Sequence, residues 1–494
     1  MPTSPSEQPD GTPPPRPYDL AVVGAGPAGL AAAVTAAGLG LRVALVDSAA
    51  STGGQFYRHP APGLRARRPQ ALHHSWSAYA RWAAQLEAHL ASGRVSHLAE
   101  HHVWAVTPAQ GGWAVQVVRG PDGAGSRGTV HAARLLLATG SYERQLPFSG
   151  WTLPGVVGAG GAQAMLKAGL VLPGRRIVVA GSGPLLLAVA GSLAAVGATV
   201  PVVVEAGGYA GYARRPGALV ANPGKLAEGA RHAATLLRHG VRVRTRAAVT
   251  AVHGNDRVEA VTVSRLDRGW RPVPGEAARI PCDALAVGHG LVPQVELATA
   301  IGCATRTGPD GTHALAVDHR QRTSVPGIWA AGETGGVGGA ELALLEGELA
   351  ALDIAGAGGQ VVAPSSARGD GDRLRTSRRV TRRAARRDRL RAFADAMAAA
   401  HAPGPGWTDW LHPETVVCRC EEVTVGQVRE AVSDLGARDA RTVKLLTRAG
   451  MGWCQGRLCA PAVTRLAGGT AAGTADRRPL ACPLTLGELA GGEG

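Results

Sequence analysis

The sequence predicts an α/β fold in which one Rossmann-like domain is nested within another and a small α-rich module follows. Two strand–turn–helix–strand patterns support this prediction, one at 18–47 and one at 176–205, each with a glycine-rich turn. A third strand–turn–helix pattern at 327–349 returns to the outer domain. Four of the seven cysteines then cluster near the carboxyl end, in a spacing that favours a metal site over a disulfide framework.

The same patterns predict the domain bounds. The outer domain combines 18–150 with 282–360, and the inner domain fills 151–281. The remaining segments are expected to be a disordered tail at 1–17, a basic linker with one helix at 361–412, the cysteine module at 413–468 and a C-terminal tail at 469–494. We expect the linker helix to run from Arg386 to Ala399.

The charge balance raises the question of a nucleic-acid partner, because the formal net charge is +15. Many arginines lie in one segment, 368–391, with few aromatic residues and no recognisable nucleic-acid module. We therefore expect no nucleic-acid partner, and a linker helix that is solvated or docks an acidic partner. No apolar run reaches the roughly 20 residues that span a bilayer, and the start lacks a signal peptide. These features predict a cytoplasmic protein with reduced thiols and no transmembrane segment.

The first glycine-rich turn has the features of a dinucleotide-binding loop. Gly24 allows the tight turn, Gly26 lets a pyrophosphate approach the backbone, and Gly29 lets helix and strand pack closely. Asp47 ends the next strand, 18 residues after Gly29, where a carboxylate can bond ribose hydroxyls. The candidate cofactor-binding residues of this unit are Gly24, Gly26, Pro27, Ala28, Gly29 and Asp47.

The second glycine-rich turn fits this pattern less well. Gly181 and Gly183 are present, but Leu186 stands where the third glycine is expected and should weaken a close pyrophosphate fit. Glu205 ends the following strand and could still hold an adenosine ribose, while repelling the extra phosphate of NADP. Two interpretations stay open: a working site for NAD or another adenine nucleotide, and a relic kept for packing.

Further motifs resemble the two-domain flavoproteins of the glutathione and thioredoxin reductase type. They are the turn Gly53-Gly54-Gln55, the strand end Ala138-Thr139-Gly140 and the segment from Thr323 to Gly332-Glu333. The resemblance implies that the bound cofactor is FAD. It also implies FAD contacts at Gly54, Gln55, Thr139 and Gly140, a bond from Glu333 beside Gly332 to the ribitol, and a backbone contact from Val103 to adenine. The family's redox-active cysteine pair is missing from both usual places, so disulfide reduction is not expected.

The four clustered cysteines can hold either zinc or a [2Fe–2S] cluster. They are Cys418, Cys420, Cys454 and Cys459. Zinc ribbons usually pair their cysteines as CxxC, whereas the CxC pair followed by a distant second pair resembles the [2Fe–2S] module of bacterioferritin-associated ferredoxin. That resemblance favours the iron–sulfur cluster, although the Cx4C spacing of the second pair departs from it.

The whole layout resembles the α subunits of bacterial heteromeric amine and imino-acid dehydrogenases, a group that includes opine oxidase, hydrogen cyanide synthase and sarcosine oxidase. The segments at 138–148 and 150–156 carry this likeness. It implies an electron-relay subunit beside a second flavoprotein of the amino-acid-oxidase type, which oxidises an amine or opine. Whether a small ferredoxin-like subunit also takes part is left undecided. A stand-alone NAD(P)H-dependent reductase and a non-enzymatic redox sensor are the alternatives. No catalytic residue is assigned, and a structural role is favoured for His289.

Overall fold

The computed structural model describes residues 17–73, 75–120, 127–357, 370–469 and 480–490. The tail expected at 1–17 lies outside these ranges, except for its last residue. The first residues of the expected linker, 361–369, lie outside them too. No helix within the described ranges combines the length and the apolar character needed to cross a membrane.

The first part of the chain alternates strands and helices around a parallel sheet. Its strands are β1 (Leu20–Val23), β2 (Val43–Val46), β3 (Val95–Leu98), β4 (His101–Ala109), β5 (Gly112–Arg119), β6 (Arg127–Ala132), β7 (Leu135–Leu137) and β8 (Ser141–Glu143), and its helices are α1 (Pro27–Gly38) and α2 (Trp76–Ala91). Every residue of β1 and β2 is buried, as expected for parallel strands covered on both faces. β4, β5 and β6 form a separate antiparallel sheet.

The inner domain repeats this plan. Its strands are β9 (Val156–Gly158), β10 (Ile177–Gly181), β11 (Val202–Glu205), β12 (Arg242–Thr245), β13 (Ala247–His253), β14 (Ala260–Leu266), β15 (Pro272–Pro281) and β16 (Ala284–Gly288), and its helices are α3 (Ala159–Gly169), α4 (Leu185–Ala195), α5 (Pro216–Val220) and α6 (Pro223–Arg238). The parallel sheet has the order β12-β11-β10-β16-β9. Because β16 pairs with β10 along its whole length, residues up to 288 belong to the inner sheet. The expected boundary at 281/282 therefore lies too early.

The chain then returns to the outer domain. The elements here are β17 (Leu291–Pro293), α7 (Glu296–Ala300), β18 (Thr305–Thr307), β19 (His313–Leu315), β20 (Ile328–Ala330) and α8 (Ala340–Ala357). β20 pairs with β7 and completes the outer parallel sheet in the order β20-β7-β1-β2-β3. α8 packs on α1, and Gly347 allows their close approach because a Cβ there would fall on the Ala28 carbonyl oxygen. The predicted α/β class with two nested dinucleotide folds is confirmed.

The last part of the chain is mainly helical. Its elements are α9 (Asp370–Ala400), β21 (Val416–Cys418), β22 (Val423–Thr424), α10 (Val425–Ser433), α11 (Ala440–Thr447), α12 (Ala460–Leu466) and α13 (Leu486–Ala490). Thr424 and Gln427 form a capping box at the start of α10. This cysteine module docks on the inner domain, where the Trp151 indole donates to the Val416 carbonyl at 2.7 Å. Short 3-10 turns occur at Pro62–Leu64, Pro69–Leu72, Tyr209–Arg214, Gly332–Gly335 and Pro405–Trp410.

The basic helix α9 differs most from expectation. It begins at Asp370 rather than Arg386, and one face of it is docked on acidic side chains of α8 while the other face is exposed. Glu346 is 1% exposed and bonds both Arg387 and Arg391. The outer ion pairs are Arg383–Glu348 and Arg386–Glu341, both at 2.5 Å. The acidic partner of the basic segment is thus the chain's own preceding helix.

Candidate functional site

The first glycine-rich turn lies between β1 and α1, with Gly26 as the N-cap and Pro27 in the first helical turn. Gly24 has a φ of +102°, which favours glycine, and a Cβ on Gly29 would fall on the Gly24 carbonyl oxygen. A Cβ on Gly26, in contrast, would have only the Gly54 Cα within reach, at 3.9 Å. The turn is therefore tightly packed at Gly29 and open at Gly26, as close approach of a pyrophosphate requires.

Asp47 ends β2 beside this turn. Its carboxylate accepts hydrogen bonds from the Ala25 N–H and, at 2.6 Å, from the Ala49 N–H. The side chain is half-buried and keeps accepting capacity for ribose hydroxyls. Val103 lies nearby on β4, whose first residue His101 donates its N–H to the Asp47 carbonyl at 2.9 Å. The adenine contact expected of Val103 stays a prediction.

The Gly53–Gly54 turn lies beside the loop. The Gly53 N–H donates to the Ala25 carbonyl at 2.8 Å. Gly54 has a φ of +58°, and a Cβ on it would lie 2.8 Å from the Gly26 Cα. Gln55 follows and is exposed. The structure thus brings this segment to the loop, where the sequence placed it.

The end of β7 meets the segment after β17. The Thr139 hydroxyl donates to the Gln294 carbonyl at 2.8 Å, and the Gly140 N–H donates to the Thr334 hydroxyl at 3.2 Å. The sequence did not predict the roles of Gln294 and Thr334, because no motif indicates that either residue contacts the end of β7. These bonds hold the Ala-Thr-Gly strand end against the segment that contains Glu333.

The third motif closes the far end of the cradle. Gly332 has a φ of +78°, and a Cβ on it would lie 2.9 Å from the Ala28 Cβ, so this turn approaches the start of α1 closely. Glu333 follows, half-buried, and accepts a hydrogen bond from the Ser141 hydroxyl. Burial raises the pKa of Glu333. The residues predicted to bind the pyrophosphate, ribose and ribitol therefore lie together around the start of α1, and their spacing and chemistry fit FAD.

A buried ion pair from α9 supports this turn. The Glu346 carboxylate accepts hydrogen bonds from the Gly332 N–H at 3.0 Å, from Arg391 at 2.7 Å and from Arg387 at 3.2 Å. The other arm of Arg391 donates to the Gly336 carbonyl at 2.6 Å. The basic helix therefore holds the backbone of the Glu333 turn, which the sequence did not reveal.

Replacing Arg391 with alanine should destabilise the protein and loosen FAD. The change leaves Glu346 buried with one cation fewer, and breaking a buried pair in this way costs about 3 kcal/mol. Chemical denaturation and the flavin content of purified protein would measure both effects. Arg386→Ala is the matched control, because its pair with Glu341 is largely exposed and should contribute less than about 1 kcal/mol. Equal losses in the two variants would contradict this role of Arg391.

The second glycine-rich turn is arranged differently from the first. Glu205 at the end of β11 is fully buried and accepts from the Gly183 N–H at 2.9 Å and the Gly207 N–H at 3.0 Å. A Cβ on Gly181 would fall on the Gly288 carbonyl oxygen, so this turn packs against β16. Leu186 is 1% exposed and lies in the inner core.

The four predicted metal-binding cysteines come together in the C-terminal module. Their side chains interact pairwise, Cys420 with Cys454, Cys454 with Cys459 and Cys459 with Cys418. The Gly450 N–H also points at the Cys418 sulfur, 3.4 Å away. Among the described residues, no three or more His, Cys, Asp or Glu side chains are arranged as a metal-binding cage.

The donor set fits a [2Fe–2S] cluster, which four thiolates hold. The contact between Cys454 and Cys459 lowers the pKa of Cys454 to about 5 and raises the pKa of Cys459, so the pair favours one thiolate, the form that binds metal. Gly452 allows the second pair to approach the first, because a Cβ there would fall on the Cys420 Cβ. Cys418 and Cys459 are buried and Cys420 is exposed, so the site has one open side.

Arg457, within the loop between Cys454 and Cys459, ties the cysteine site to the outer domain. Its guanidinium pairs with Glu296 of α7 at 3.2 Å, and both side chains are mostly buried. It also donates to the Ala481 carbonyl, and the Ala481 N–H donates to the Trp104 carbonyl of β4 at 2.8 Å. The C-terminal tail thus has a docking role that its sequence did not indicate.

Comparisons with known proteins match both parts of the chain. The family described as pyridine nucleotide-disulphide oxidoreductase matches residues 18–347, and the BFD-like [2Fe-2S] binding domain matches residues 416–467. The hydrogen cyanide synthase subunit HcnB of Pseudomonas protegens is 34% identical over 438 residues, which cover 89% of each chain. An opine oxidase subunit of Agrobacterium tumefaciens is 34% identical over 461 residues, which cover 91% of this chain and 85% of that protein.

Among solved structures, L-proline dehydrogenase from P. horikoshii shares the fold. Its TM-score is 0.63 at 20% sequence identity, over 96% of this chain and 79% of that chain. The matched families also account for the two cofactors predicted from the sequence, FAD and a [2Fe–2S] cluster. The chain is therefore an FAD-dependent oxidoreductase that belongs to the pyridine nucleotide-disulphide oxidoreductase family and carries a C-terminal BFD-like [2Fe–2S] domain.

Proposed function

We propose that this chain is the electron-relay subunit of a heteromeric amine, amino-acid or opine dehydrogenase. When bound, FAD supplies two-electron chemistry and the [2Fe–2S] cluster supplies one-electron transfer. The residues of one chain hold both groups. The cytoplasmic location expected from the sequence stays a prediction.

The observation that carries the proposal is the contact between Arg457 and Glu296. Arg457 lies between two cluster cysteines, and Glu296 lies two residues after Gln294. Gln294 in turn accepts from Thr139 and donates its N–H to the Gly140 carbonyl at 2.9 Å. One ion pair and one short segment thus connect the cysteine loop to the strand end of the FAD cleft, and such proximity is what a relay between two redox groups needs.

The partner proposals come from the relatives. Two of them are named as subunits, of hydrogen cyanide synthase and of opine oxidase, so this chain too is proposed to act in an assembly. We propose a second flavoprotein of the amino-acid-oxidase type that oxidises the amine or opine. A small ferredoxin-like subunit completes the proposed complex.

The test is co-expression with an amino-acid-oxidase-like flavoprotein encoded next to this chain. The chain alone should oxidise no amine or opine, and the co-purified complex should oxidise one from a substrate panel with an artificial electron acceptor. Full amine dehydrogenase activity from the isolated chain would contradict the relay. Turnover with NADH alone would favour the reductase, and stable flavin reduction without turnover would favour a redox sensor.

A pair of variants makes this test sharper. Arg457→Met should slow the transfer of electrons to the cluster in the complex at unchanged FAD and iron content, because the loop loses its tie to α7. Arg441→Met is the matched control, since Arg441 is exposed on α11. The same slowing in both variants would remove the support that Arg457 gives to the proposal.

A further inference from the structure

We propose that the chain closes its own inner nucleotide site, with His401 at the end of α9 in the position of the adenosine ribose. The inner dinucleotide fold then holds a segment of its own chain in place of a nicotinamide nucleotide. The inference stands apart from the relay proposal, because it concerns how the inner domain is filled and not where electrons leave the chain.

The two strand-end acids of this chain provide an internal comparison. Asp47 and Glu205 occupy the same place in their respective folds, and each accepts from an N–H of its glycine-rich turn and from the N–H two residues further on. They differ in exposure, since Asp47 is half-buried and Glu205 is 0% exposed. The side of the carboxylate that is available to a ribose at Asp47 is therefore covered by protein at Glu205.

His401 is what covers Glu205. Its Nδ1 lies 3.3 Å from a Glu205 carboxylate oxygen, and its Nε2 lies 3.2 Å from the Tyr212 hydroxyl. A neutral ring that donates from Nδ1 can accept at Nε2, so both nitrogens are satisfied. The Ser182 hydroxyl, inside the glycine-rich turn, donates to the His401 carbonyl at 3.0 Å. The side chain and backbone of one residue thus use the polar groups that a ribose would need.

The backbone next to His401 fills the neighbouring space. A Cβ on Gly211 would lie 3.0 Å from Ala400, and one on Gly207 would lie 3.6 Å from the Ala400 carbonyl oxygen. Asn222 anchors the helix further up by donating to the Arg389 carbonyl at 3.0 Å. The segment is therefore packed as part of the inner domain.

Electrostatics agree with this geometry. Burial acts to raise the pKa of Glu205, but hydrogen bonds from His401 and from two backbone N–H groups outweigh it, so that the pKa is lowered. The buried carboxylate is thus stable in its charged form without a ribose. A nucleotide would have to break the bonds of His401, and each hydrogen bond lost lowers the equilibrium constant by roughly threefold to tenfold.

The experiment uses the purified FAD-containing chain, with ADP-ribose as the equilibrium probe and NADH and NADPH as reductants. Wild-type protein should show no flavin bleaching by either reductant in anaerobic rapid mixing, and no ADP-ribose binding by calorimetry. His401→Ala should bind ADP-ribose with a dissociation constant at least about tenfold below the weakest binding that the calorimetry detects. His412→Ala, an exposed histidine of the same segment, should behave as wild type.

Three results would overturn the proposal. The first is flavin reduction by NADH in the wild type. The second is wild-type binding of ADP-ribose that Glu205→Gln abolishes. The third is a folded His401→Ala protein, with normal FAD content and unfolding midpoint, that gains no binding. If His401→Ala fails to fold, the wild-type measurements and the milder His401→Asn variant still test the proposal. A relay that works in the co-purified complex would be compatible with any of these results, so the two proposals fail separately.

Discussion

Replacing Gly26 with alanine should give a folded protein that no longer retains FAD. A Cβ at this position meets no protein atom closer than 3.9 Å, so the apoprotein should keep its stability. The methyl group would instead stand where the pyrophosphate approaches the turn. Losing one or two charge-assisted hydrogen bonds costs about 1.5–3 kcal/mol each, which predicts a fall in FAD affinity of at least about tenfold. Flavin absorbance after gel filtration would measure FAD retention, and titration of the apoprotein with FAD would measure the affinity.

Two other alanine variants of the same turn and helix separate cofactor binding from folding. Gly29→Ala should destabilise the protein itself, because its Cβ would fall on the Gly24 backbone, which cannot move aside as a flexible side chain can. Gly38→Ala, at the exposed far end of α1, has only a histidine ring atom at 3.9 Å and should retain FAD and stability. Normal FAD binding by Gly26→Ala would place the pyrophosphate elsewhere.

Replacing Cys418 with serine should remove the iron–sulfur cluster and leave FAD bound. Cys418 is 1% exposed, and a serine hydroxyl at this place ionises far less readily than a thiol, so it is a poor ligand for iron. Iron and acid-labile sulfide should fall from about two per chain to near zero. The electron paramagnetic resonance signal of the reduced cluster should vanish, while the flavin spectrum stays. Since metal binding contributes folding energy, the thermal unfolding of the C-terminal module should shift down as well.

Cys303→Ser is the matched control for this variant. Cys303 is also buried, and its thiol lies 3.6 Å from the Thr323 hydroxyl, a contact that a serine can keep. Its iron content should therefore equal that of the wild type. A full cluster in Cys418→Ser, or zinc in place of iron in the wild-type protein, would contradict the assignment of the cysteine site.

The local motifs were readable from the sequence because each depends on spacing along one short segment. A strand, a glycine-rich turn and a helix place Gly26 at the helix N-terminus, where the anion site is predicted, and the next strand end brings Asp47 beside it. The same holds for the CxC and Cx4C pairs, whose spacing favours a metal site over a disulfide framework. The resemblance of the Gly332-Glu333 segment to known flavoproteins then identified the cofactor.

The sequence by itself therefore determined the fold class, the two cofactors and the positions of their candidate ligands. Only the tertiary structure decided which distant groups complete these sites. His401 meets Glu205 across 196 residues, Arg391 meets Glu346 across 45, and Arg457 meets Glu296 on another domain. Periodicity and motif spacing report on neighbours along the chain, whereas these pairs depend on how α9 and the cysteine module pack on the two sheets. Packing thus turned an apparent linker into a support for the FAD turn and a cover for the inner nucleotide site.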